Sequence, residues 1–271
     1  MSDNPDISAL NTSRRYNYWV GGKDHTSAER ESTESIVTIL PNMIAAAREG
    51  REVVMRIVRH LVSEHGIDQI LDIGAGQPVA PNVHEVAQAI DPSCRVLYVD
   101  NDPLVGVHHR GTTMSSAEGR ADFLLGDLRE VPAILGDDGL TATLDPSRPV
   151  AVLLGSVLHL IGDDQTAHAA VRDLRDALAP GSLLAIVHGT FDTLPEKTRQ
   201  QVGELLATGR HGAYRARSRD EILAFVDGLP LVEPGIVSSV EWHPDPANPP
   251  RTGVADAMCW TVVARIPEDP N

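Results

Sequence analysis

The residues best suited to chemistry are an aspartate and two glycines at the end of a short apolar segment. Asp72, Gly74 and Gly76 form an Asp-x-Gly-x-Gly pattern that begins inside residues 69–73 and continues past them. A glycine-rich turn between a strand and a helix lets a ligand approach backbone N–H groups closely, because a Cβ would block both the ligand and the positive φ angles. An acid two residues before the first glycine favours a ligand that carries an ammonium group.

Two further acids follow the next two apolar segments. Asp100 comes directly after residues 95–99, and Asp127 comes shortly after residues 121–125. An acid at the tip of the second strand is suited to hold the two hydroxyls of a ribose. An acid after the third strand can accept a hydrogen bond from the exocyclic amine of an adenine. The three acids together predict a nucleoside-containing ligand.

The position of Val79 argues against a dinucleotide. A dinucleotide fingerprint needs a third glycine there, and the preceding Pro78 supplies no N–H group for a pyrophosphate. A nicotinamide-dependent dehydrogenase is therefore the least favoured function.

Three histidines are candidates for a catalytic base, because an unperturbed histidine has a pKa of about 6.5 and accepts a proton near neutral pH. His84 lies in the helix after the glycine turn, His159 follows the fourth apolar segment, and His188 follows the fifth. Ligands of open parallel sheets bind beyond the carboxyl ends of the strands, which favours His159 and His188. The alternative for each is a hydrogen-bonded structural histidine.

Aromatic residues are concentrated before the first strand. Tyr16, Tyr18 and Trp19 precede the pair Gly21 and Gly22. We expect this stretch to be a lid that covers a ligand and hinges at the glycines, or else an arm that the aromatics anchor to the core. The polar residues 1–13 are expected to be disordered.

The elements that must position these residues alternate along the chain. Apolar segments of strand length are separated by helical patterns, and a helix and two closing strands follow the fifth. Residues 1–66 are predicted to form a lid and helical extension, and residues 67–271 a ligand-binding α/β domain with a doubly wound sheet and an antiparallel late strand. The predicted strands are 69–73, 95–99, 121–125, 149–155, 182–187, 236–241 and 257–265. The main predicted helices are 27–40, 42–64, 163–178, 193–208 and 218–227. Two shorter helices are predicted to begin near residues 81 and 103, and a third to end at 135.

Composition narrows the class of protein. The formal net charge of −15 over 271 residues disfavours nucleic acid, whose binding depends on lysine and arginine at phosphates. No apolar run reaches the roughly 18 residues of a membrane helix. The beginning of the chain lacks the pattern of a secretory signal, and the two cysteines, Cys94 and Cys259, lack metal-binding spacing. We therefore expect a cytoplasmic protein without a metal site, a membrane segment or a nucleic-acid partner.

Taken in order, these motifs resemble the class I S-adenosylmethionine-dependent methyltransferases. The resemblance is closer to an actinobacterial family long called a domain of unknown function and now named S-adenosyl methyltransferases. It covers roughly residues 14–265. The segments that carry it are 15–18, 21–24, 71–74 with Gly76 and Pro78, 82–87, 99–103, 157–159 and 178–182.

The resemblance implies a Rossmann-like fold with a seven-stranded, mostly parallel sheet, and S-adenosylmethionine as cofactor. It assigns the methionine end of the cofactor to Asp72, Gly74, Ala75 and Gly76. It assigns the nucleoside and sulfonium to Asp100, Asn101, Asp127, Leu128, Ser156 and Val157. It assigns the closing lid to Tyr16, Trp19 and Lys23.

Three positions depart from the family pattern. His25 and Thr26 stand where the family has Asn-Phe, Ala75 stands where it has threonine, and His243 stands where it has arginine. The first departure affects a lid contact, and none removes a glycine or acid of the site.

Two functions of different classes follow from these residues. The first is a methyltransferase acting on a small molecule, a specialised metabolite. The second is a non-catalytic or repurposed protein of the same fold that binds cofactor or metabolite as a regulator. The intact set of acids and glycines favours the first, because a degenerate site would be expected to lose Asp100 or Gly74. The sequence specifies neither the acceptor nor the oligomeric state.

Overall fold

The computed structural model describes residues 10–268, and a seven-stranded sheet lies at its centre. The strand order is β3-β2-β1-β4-β5-β7-β6, and β7 runs antiparallel to both of its neighbours. The predicted doubly wound sheet with an antiparallel late strand is therefore confirmed. The strands are β1 Gln69–Ile73, β2 Arg95–Asp100, β3 Arg120–Leu125, β4 Ala151–Gly155, β5 Leu183–Gly189, β6 Val237–Ser238 and β7 Cys259–Arg265.

Helices cover both faces of the sheet and its carboxyl edge. The first three precede β1, and most of the others connect successive strands. Within residues 10–268 none is long and apolar enough to cross a membrane. They are α1 Thr12–Trp19, α2 Ser27–Ile39, α3 Met43–His65, α4 Val83–Gln88, α5 Pro103–Thr112, α6 Val131–Leu135, α7 Asp138–Thr143, α8 Asp164–Ala177, α9 Glu196–Ala207, α10 Arg219–Leu223 and α11 Val254–Ala257.

The long helix α3 packs on one face of the sheet. Val53, Ile57 and Leu61 recur at helical spacing, and all three are fully buried in the same apolar cluster as residues of β1, β2, β4 and β5. The helix ends at Gly66, whose φ of 64° closes it in the left-handed conformation that glycine adopts at little cost. Helix α8 buries Val171 in the cluster on the opposite face. The sheet is thus held rigidly between two helical layers, which fixes the positions of its strand ends.

The register of the sheet brings the polar strand ends together. Ile73 of β1 lies opposite Val99 of β2, so Gly74 and Asp100 follow side by side. β4 runs parallel to β1 on its other side. Strands β2 and β3 extend the sheet on one side of β1, and the strands from β4 onward extend it on the other, so the strand order reverses between β1 and β4. Open α/β sheets bind ligands in the crevice at this point.

The N-terminal segment differs from the sequence prediction. Residues 1–9 lie outside the described part of the chain, but Thr12 and Ser13 belong to α1 and are not disordered. The aromatic stretch, for which no secondary structure was predicted, is a helix as far as Trp19. Asn11 caps this helix by accepting a hydrogen bond from the backbone N–H of Arg14. The prediction missed the helix because tertiary contacts, not an apolar stripe, stabilise it.

Three other boundaries were predicted wrongly. Helix α7 lies between the predicted helix that ends at 135 and the predicted strand 149–155, where no element was predicted, and Asp137 caps it. The predicted strand at 236–241 pairs only over Val237–Ser238, because Ser238 and Glu241 form a capping box that turns the chain into a short 3-10 helix. The last strand begins at Cys259 rather than 257, because Met258 ends α11 in the left-handed conformation.

Candidate cofactor and acceptor site

One cavity of about 550 Å³ opens at the carboxyl edge of the sheet, beyond β1, β2, β3 and β4. This volume lies within the usual range for small-molecule sites, about 300–1,000 Å³. All the predicted site residues except Lys23 and His188 line it. The cavity therefore joins thirteen residues that the sequence leaves scattered between positions 16 and 159.

The glycine turn after β1 packs tightly. Gly74 has a φ of 76°, and a Cβ at this position would lie 2.4 Å from a methyl carbon of Val157. Any larger residue would collide with the segment after β4, so glycine is required here by both conformation and space. Ala75 and Gly76 continue the wall of the cavity.

The backbone donors of this turn face the protein, contrary to the sequence prediction. The N–H groups of Gly74 and Ala75 both donate to the carbonyl oxygen of Val99, at 2.8 and 3.1 Å. The N–H of Gly76 donates to Asp100 at 2.9 Å, and that of Gln77 donates to the hydroxyl of Ser13 at 3.2 Å. The turn therefore offers shape and a nearby carboxylate to a ligand, rather than a row of N–H donors.

Asp72 lines the cavity with a carboxylate that has no hydrogen bond or ion pair among residues 10–268. The exposed fraction of Asp72 is 7%, and burial raises its pKa to about 7. The negative charge of Asp100 also raises this pKa, while the positive charge of Arg51 lowers it. A buried acid without a partner is stabilised by a cation that neutralises it. The site therefore fits the ammonium group of a methionine moiety.

Asp100 is held in one orientation by two backbone groups. The N–H of Gly76 donates to one carboxylate oxygen and the N–H of Asp102 to the other, each at 2.9 Å. Burial raises the pKa of Asp100. Each oxygen keeps a further acceptor position, so the carboxylate can receive the two hydroxyls of a ribose.

Asp127 occupies the far end of the polar half of the cavity. Arg129 donates to it from its backbone N–H and its Nε, both at 2.9 Å, and Asn101 donates from its side-chain amide at 2.9 Å. The hydrogen bonds from Arg129 hold the pKa of Asp127 well below its usual range. Leu128 lies beside it as an apolar wall. An ionised acceptor next to an apolar surface suits the amine and face of an adenine.

Helix α1 covers the polar half of the cavity and is tied to the loops beneath it. The Asn11 amide donates to Asp102 after β2 at 2.9 Å, and Ser13 accepts from Gln77 after β1. Tyr16 lines the cavity and donates to the carbonyl oxygen of Ala47 at 3.2 Å, while burial raises its pKa to about 12. In this conformation α1 lies over the cavity, and its role as a lid stays a prediction.

The two remaining lid residues lie in different environments. Trp19 lines the cavity and donates from its indole nitrogen to Thr33 of α2 at 2.9 Å. Lys23 is exposed and does not line the cavity. The geometry therefore supports a closing role for Trp19 and gives Lys23 no contact with the site.

The chain turns sharply after β4 at Ser156, whose φ is 66°. A left-handed conformation costs a non-glycine residue roughly 1–2 kcal/mol, and such residues cluster at functional sites. The hydrogen bond from the Ser156 N–H to the Val187 carbonyl oxygen, 2.9 Å, holds the turn. Ser156 and Val157 thereby face the middle of the cavity, between its polar and apolar halves.

His159 lines the cavity, and its hydrogen bonding defines its tautomer. Its Nδ1 accepts from the backbone N–H of Gly189 at 3.3 Å, so the hydrogen of the neutral ring is on Nε2. Burial, with the charges of His188 and Arg217, holds the pKa of His159 well below 6.5. Nε2 makes no hydrogen bond within the described chain. His159 is thus a neutral donor, an arrangement that favours orienting an acceptor over removing a proton from it.

His188 and His84 lie outside the cavity wall and have structural partners. His188 is fully buried, donates from Nδ1 to the Gly189 carbonyl oxygen at 2.8 Å and accepts at Nε2 from Arg217 at 3.1 Å. Burial brings its pKa down to about 4. His84 accepts at Nδ1 from the hydroxyl of Tyr98 at 2.8 Å. Neither ring faces the cavity, so neither is placed to contact a substrate there.

The other half of the cavity is apolar, and sequence analysis did not identify it. Helices α1, α2 and α9 and the loops around β5 contribute its walls. The spacing of Val202, Leu205 and Leu206 along α9 is the one local signal that could have found it. The apolar wall comprises Trp19, Ile36, Leu40, Met43, Phe191, Val202, Leu205, Leu206 and Tyr214. Arg15 lies among them.

Comparison with known proteins places this site in a family. Residues 1–267 match the model of the S-adenosyl methyltransferase family. The chain belongs to that family. Its cofactor is therefore S-adenosylmethionine, in agreement with the acids and glycines of the polar half.

Solved structures agree over the whole chain. A DUF574 family protein of Streptomyces avermitilis is 38% identical, with 97% of this chain and 99% of that one covered and a TM-score of 0.91. A protein of Thermobifida fusca is 32% identical, with 98% and 100% covered and a TM-score of 0.86. Both similarities extend through the N-terminal helices as well as the sheet.

A curated relative matches only in part. Ribosomal RNA large subunit methyltransferase G of Streptomyces avermitilis is 29% identical over 133 residues, which are 48% of this chain and 31% of that protein. The chain thus spans about a third of the length of this relative.

Proposed function

We propose that the protein transfers a methyl group from S-adenosylmethionine to a small molecule, a specialised metabolite, that binds in the apolar half of the cavity. The observation that carries the proposal is that the polar and the apolar half of the cavity form one continuous space. The acids of the polar half and the apolar wall under α1, α2 and α9 belong to one cavity and meet at Ser156, Val157 and His159.

The residues of the polar half fit the cofactor by their chemistry. Asp72 would hold the ammonium group, Asp100 the ribose hydroxyls, and Asp127 the adenine amine. When bound, S-adenosylmethionine supplies an electrophilic methyl group on a positively charged sulfur. The absence of a Cβ at Gly74 lets Val157 pack directly against the turn, which sets the shape of this wall.

Positioning is the main contribution of the protein to such a reaction. Methyl transfer is an in-line displacement, and aligning the two reactants lowers its barrier by making the reaction effectively unimolecular. Helix α1 and the apolar wall would shield the reactants from water, and Ser156 and Val157 would lie beneath the point of transfer. His159 would orient the acceptor atom by donating from Nε2.

The acidic character of the chain supports a small acceptor. The net charge is −15, and a polyanion would need a surface rich in lysine and arginine. Methylation of ribosomal RNA is the second candidate, because the partial relative named above is an RNA methyltransferase.

The test is a labelling experiment. Full-length protein is incubated with S-adenosylmethionine carrying a labelled methyl group, together with either a bacterial metabolite extract or ribosomal RNA. We expect label in a small molecule, detected by mass spectrometry, and none with Asp100→Asn. Label in RNA alone would favour the second candidate. Binding of S-adenosylhomocysteine without any transfer would favour the regulatory alternative.

A further inference from the structure

Arg15 is a buried cation with no acidic partner. Its exposed fraction is 5%, it lines the cavity, and no carboxylate lies within ion-pair distance of its guanidinium in the described chain. The nearby acid Glu29 is bonded to Arg14 instead. A buried charge of this kind is costly unless a counter-charge reaches it.

The guanidinium of Arg15 is only partly satisfied by the protein. Nη1 donates to the Ser32 hydroxyl at 3.1 Å and to the His211 carbonyl oxygen at 2.7 Å. Nε is buried without a partner, and Nη2 makes no hydrogen bond to residues 10–268. The guanidinium carbon lies 5.2 Å from the centre of the Trp19 ring, which holds the side chain in place. Nη2 therefore remains for a ligand, whereas Nε is unpartnered but shielded by the surrounding protein.

The neighbours of Arg15 place it at the acceptor end of the cavity. Its charge acts on the pKa values of His159 and Tyr214, whose rings lie 4.8 Å apart. Another arginine of the cavity wall, Arg51, acts on Asp72 at the methionine end. The charge of Arg51 thus acts at the proposed ammonium site, whereas that of Arg15 acts around His159.

From these contacts we propose that Arg15 binds a carboxylate of the methyl acceptor, so that the substrate is an apolar acid. The carboxylate would accept a charge-assisted hydrogen bond from Nη2 of Arg15 and neutralise the buried guanidinium. The apolar or aromatic skeleton would lie against Trp19, Phe191 and Tyr214. This inference rests on the proposed function, because it names the substrate class of the same site.

The test compares two probes that differ only in charge. Binding of 1-naphthoate and of its neutral counterpart 1-naphthamide is measured by calorimetry on full-length protein saturated with S-adenosylhomocysteine. We expect naphthoate to bind at least tenfold more tightly than naphthamide. Equal affinities, or no binding of naphthoate at millimolar concentration, would overturn the proposal.

Variants test whether Arg15 is the residue that causes the preference for naphthoate. Arg15→Met should abolish the preference for naphthoate and change the affinity for S-adenosylhomocysteine less than twofold, whereas Arg15→Lys should keep part of the preference. Arg30→Met, a matched change at an exposed position of α2, should leave both ligands unaffected. An equal loss of naphthoate and S-adenosylhomocysteine affinity in folded Arg15→Met would assign Arg15 to the cofactor and overturn the inference.

Failure of the proposed function can be distinguished from failure of the inference about Arg15. Wild-type protein that does not bind S-adenosylhomocysteine contradicts the proposed methyl transfer, and the naphthoate preference is then measured on the same protein without S-adenosylhomocysteine. Should Arg15→Met not fold, the comparison of the two probes on wild-type protein and on Arg15→Lys still decides.

Discussion

At the scale of single residues, Asp72 is expected to couple cofactor binding to the release of a proton. Its carboxylate is buried without a partner, and burial raises its pKa to about 7, so the group is about half protonated at neutral pH. An ammonium group placed beside it favours the ionised form and lowers its pKa. If Asp72 holds the ammonium group as proposed, binding releases a proton at pH values near and below about 7.

The affinity for S-adenosylhomocysteine should rise with pH because of this carboxylate. Between pH 6 and pH 8 the ionised fraction of a group with a pKa of about 7 increases roughly tenfold, and the affinity should increase by about the same factor. Calorimetry at both pH values measures it. Asp72→Asn should bind weakly with no such dependence, and Asp138→Asn, at an exposed position of α7, should behave as wild type. A flat profile for the wild-type protein would show that Asp72 does not face the ammonium.

His159 is expected to act through its Nε2 hydrogen rather than as a base. His159→Phe should lower turnover of the acceptor by roughly ten- to a hundredfold, the effect of losing an orienting hydrogen bond, with little change in cofactor affinity. His159→Gln keeps a donor and should recover part of the loss. Turnover is measured with the acceptor that the labelling experiment identifies. A rise of turnover with pH near 6–7 that disappears in His159→Gln would instead support the base role.

At the scale of elements, a buried ion pair holds α1 in its position over the site. Arg14 and Glu29 join α1 to α2, with side-chain exposures of 8% and 0%. Burial by itself would raise the pKa of Glu29, but hydrogen bonds from Thr26, Arg14 and Asn11 bring it down to about 2. The folded pKa lies below the ordinary value of 4.5, so this group stabilises the fold above pH 4.5 and loses that contribution as the pH falls towards 2.

Glu29→Gln should lower the melting temperature of the protein at pH 7. Removing one partner of a buried pair costs about 3–5 kcal/mol, because the other charge stays buried. The difference from wild type should shrink as the pH falls below 4.5, where the wild-type protein itself loses the contribution of the ionised carboxylate. Circular dichroism melts between pH 3 and pH 7 measure this, with the exposed Glu31→Gln of α2 as control. A difference that is constant with pH would exclude the carboxylate as its source.

At the scale of the whole molecule, α3 connects the beginning of the chain to its end. Arg56 of α3 donates to Glu49 at 2.7 Å and to the carbonyl oxygens of Ser239 and Trp242 at 2.6 and 3.1 Å. The same helix shares an apolar cluster with five strands of the sheet, β1, β2, β4, β5 and β7. The N-terminal helices and the sheet should therefore unfold together.

Arg56→Met should destabilise the whole protein by roughly 3–5 kcal/mol, because it leaves Glu49 buried and unpaired. Denaturant unfolding followed by both fluorescence and circular dichroism should show one coincident transition in wild type and variant. Arg59→Met, one turn away and exposed, should be neutral. Two separate transitions in the wild-type protein would contradict a shared core.

The sequence by itself determined the sheet and the polar half of the site. Residues 69–76 combine a buried strand with a glycine turn, and such a pattern has a local cause in backbone sterics and strand burial. Asp72, Asp100 and Asp127 lie at or just beyond the ends of their strands, and the carboxyl ends of parallel strands meet at one edge. The position of these acids was therefore predictable without any knowledge of distant contacts.

Only the tertiary structure decided the roles of the histidines, the conformation of α1 and the isolation of Arg15. The tautomer of His159 depends on Gly189, 30 residues away, and His188 is occupied by Arg217, 29 residues away. Arg15 contacts His211 across 196 residues, and its lack of an acid partner is a property of the packed interior. Hydrogen bonding and desolvation depend on what lies nearby in space, and sequence spacing does not carry that information for residues joined only by the fold.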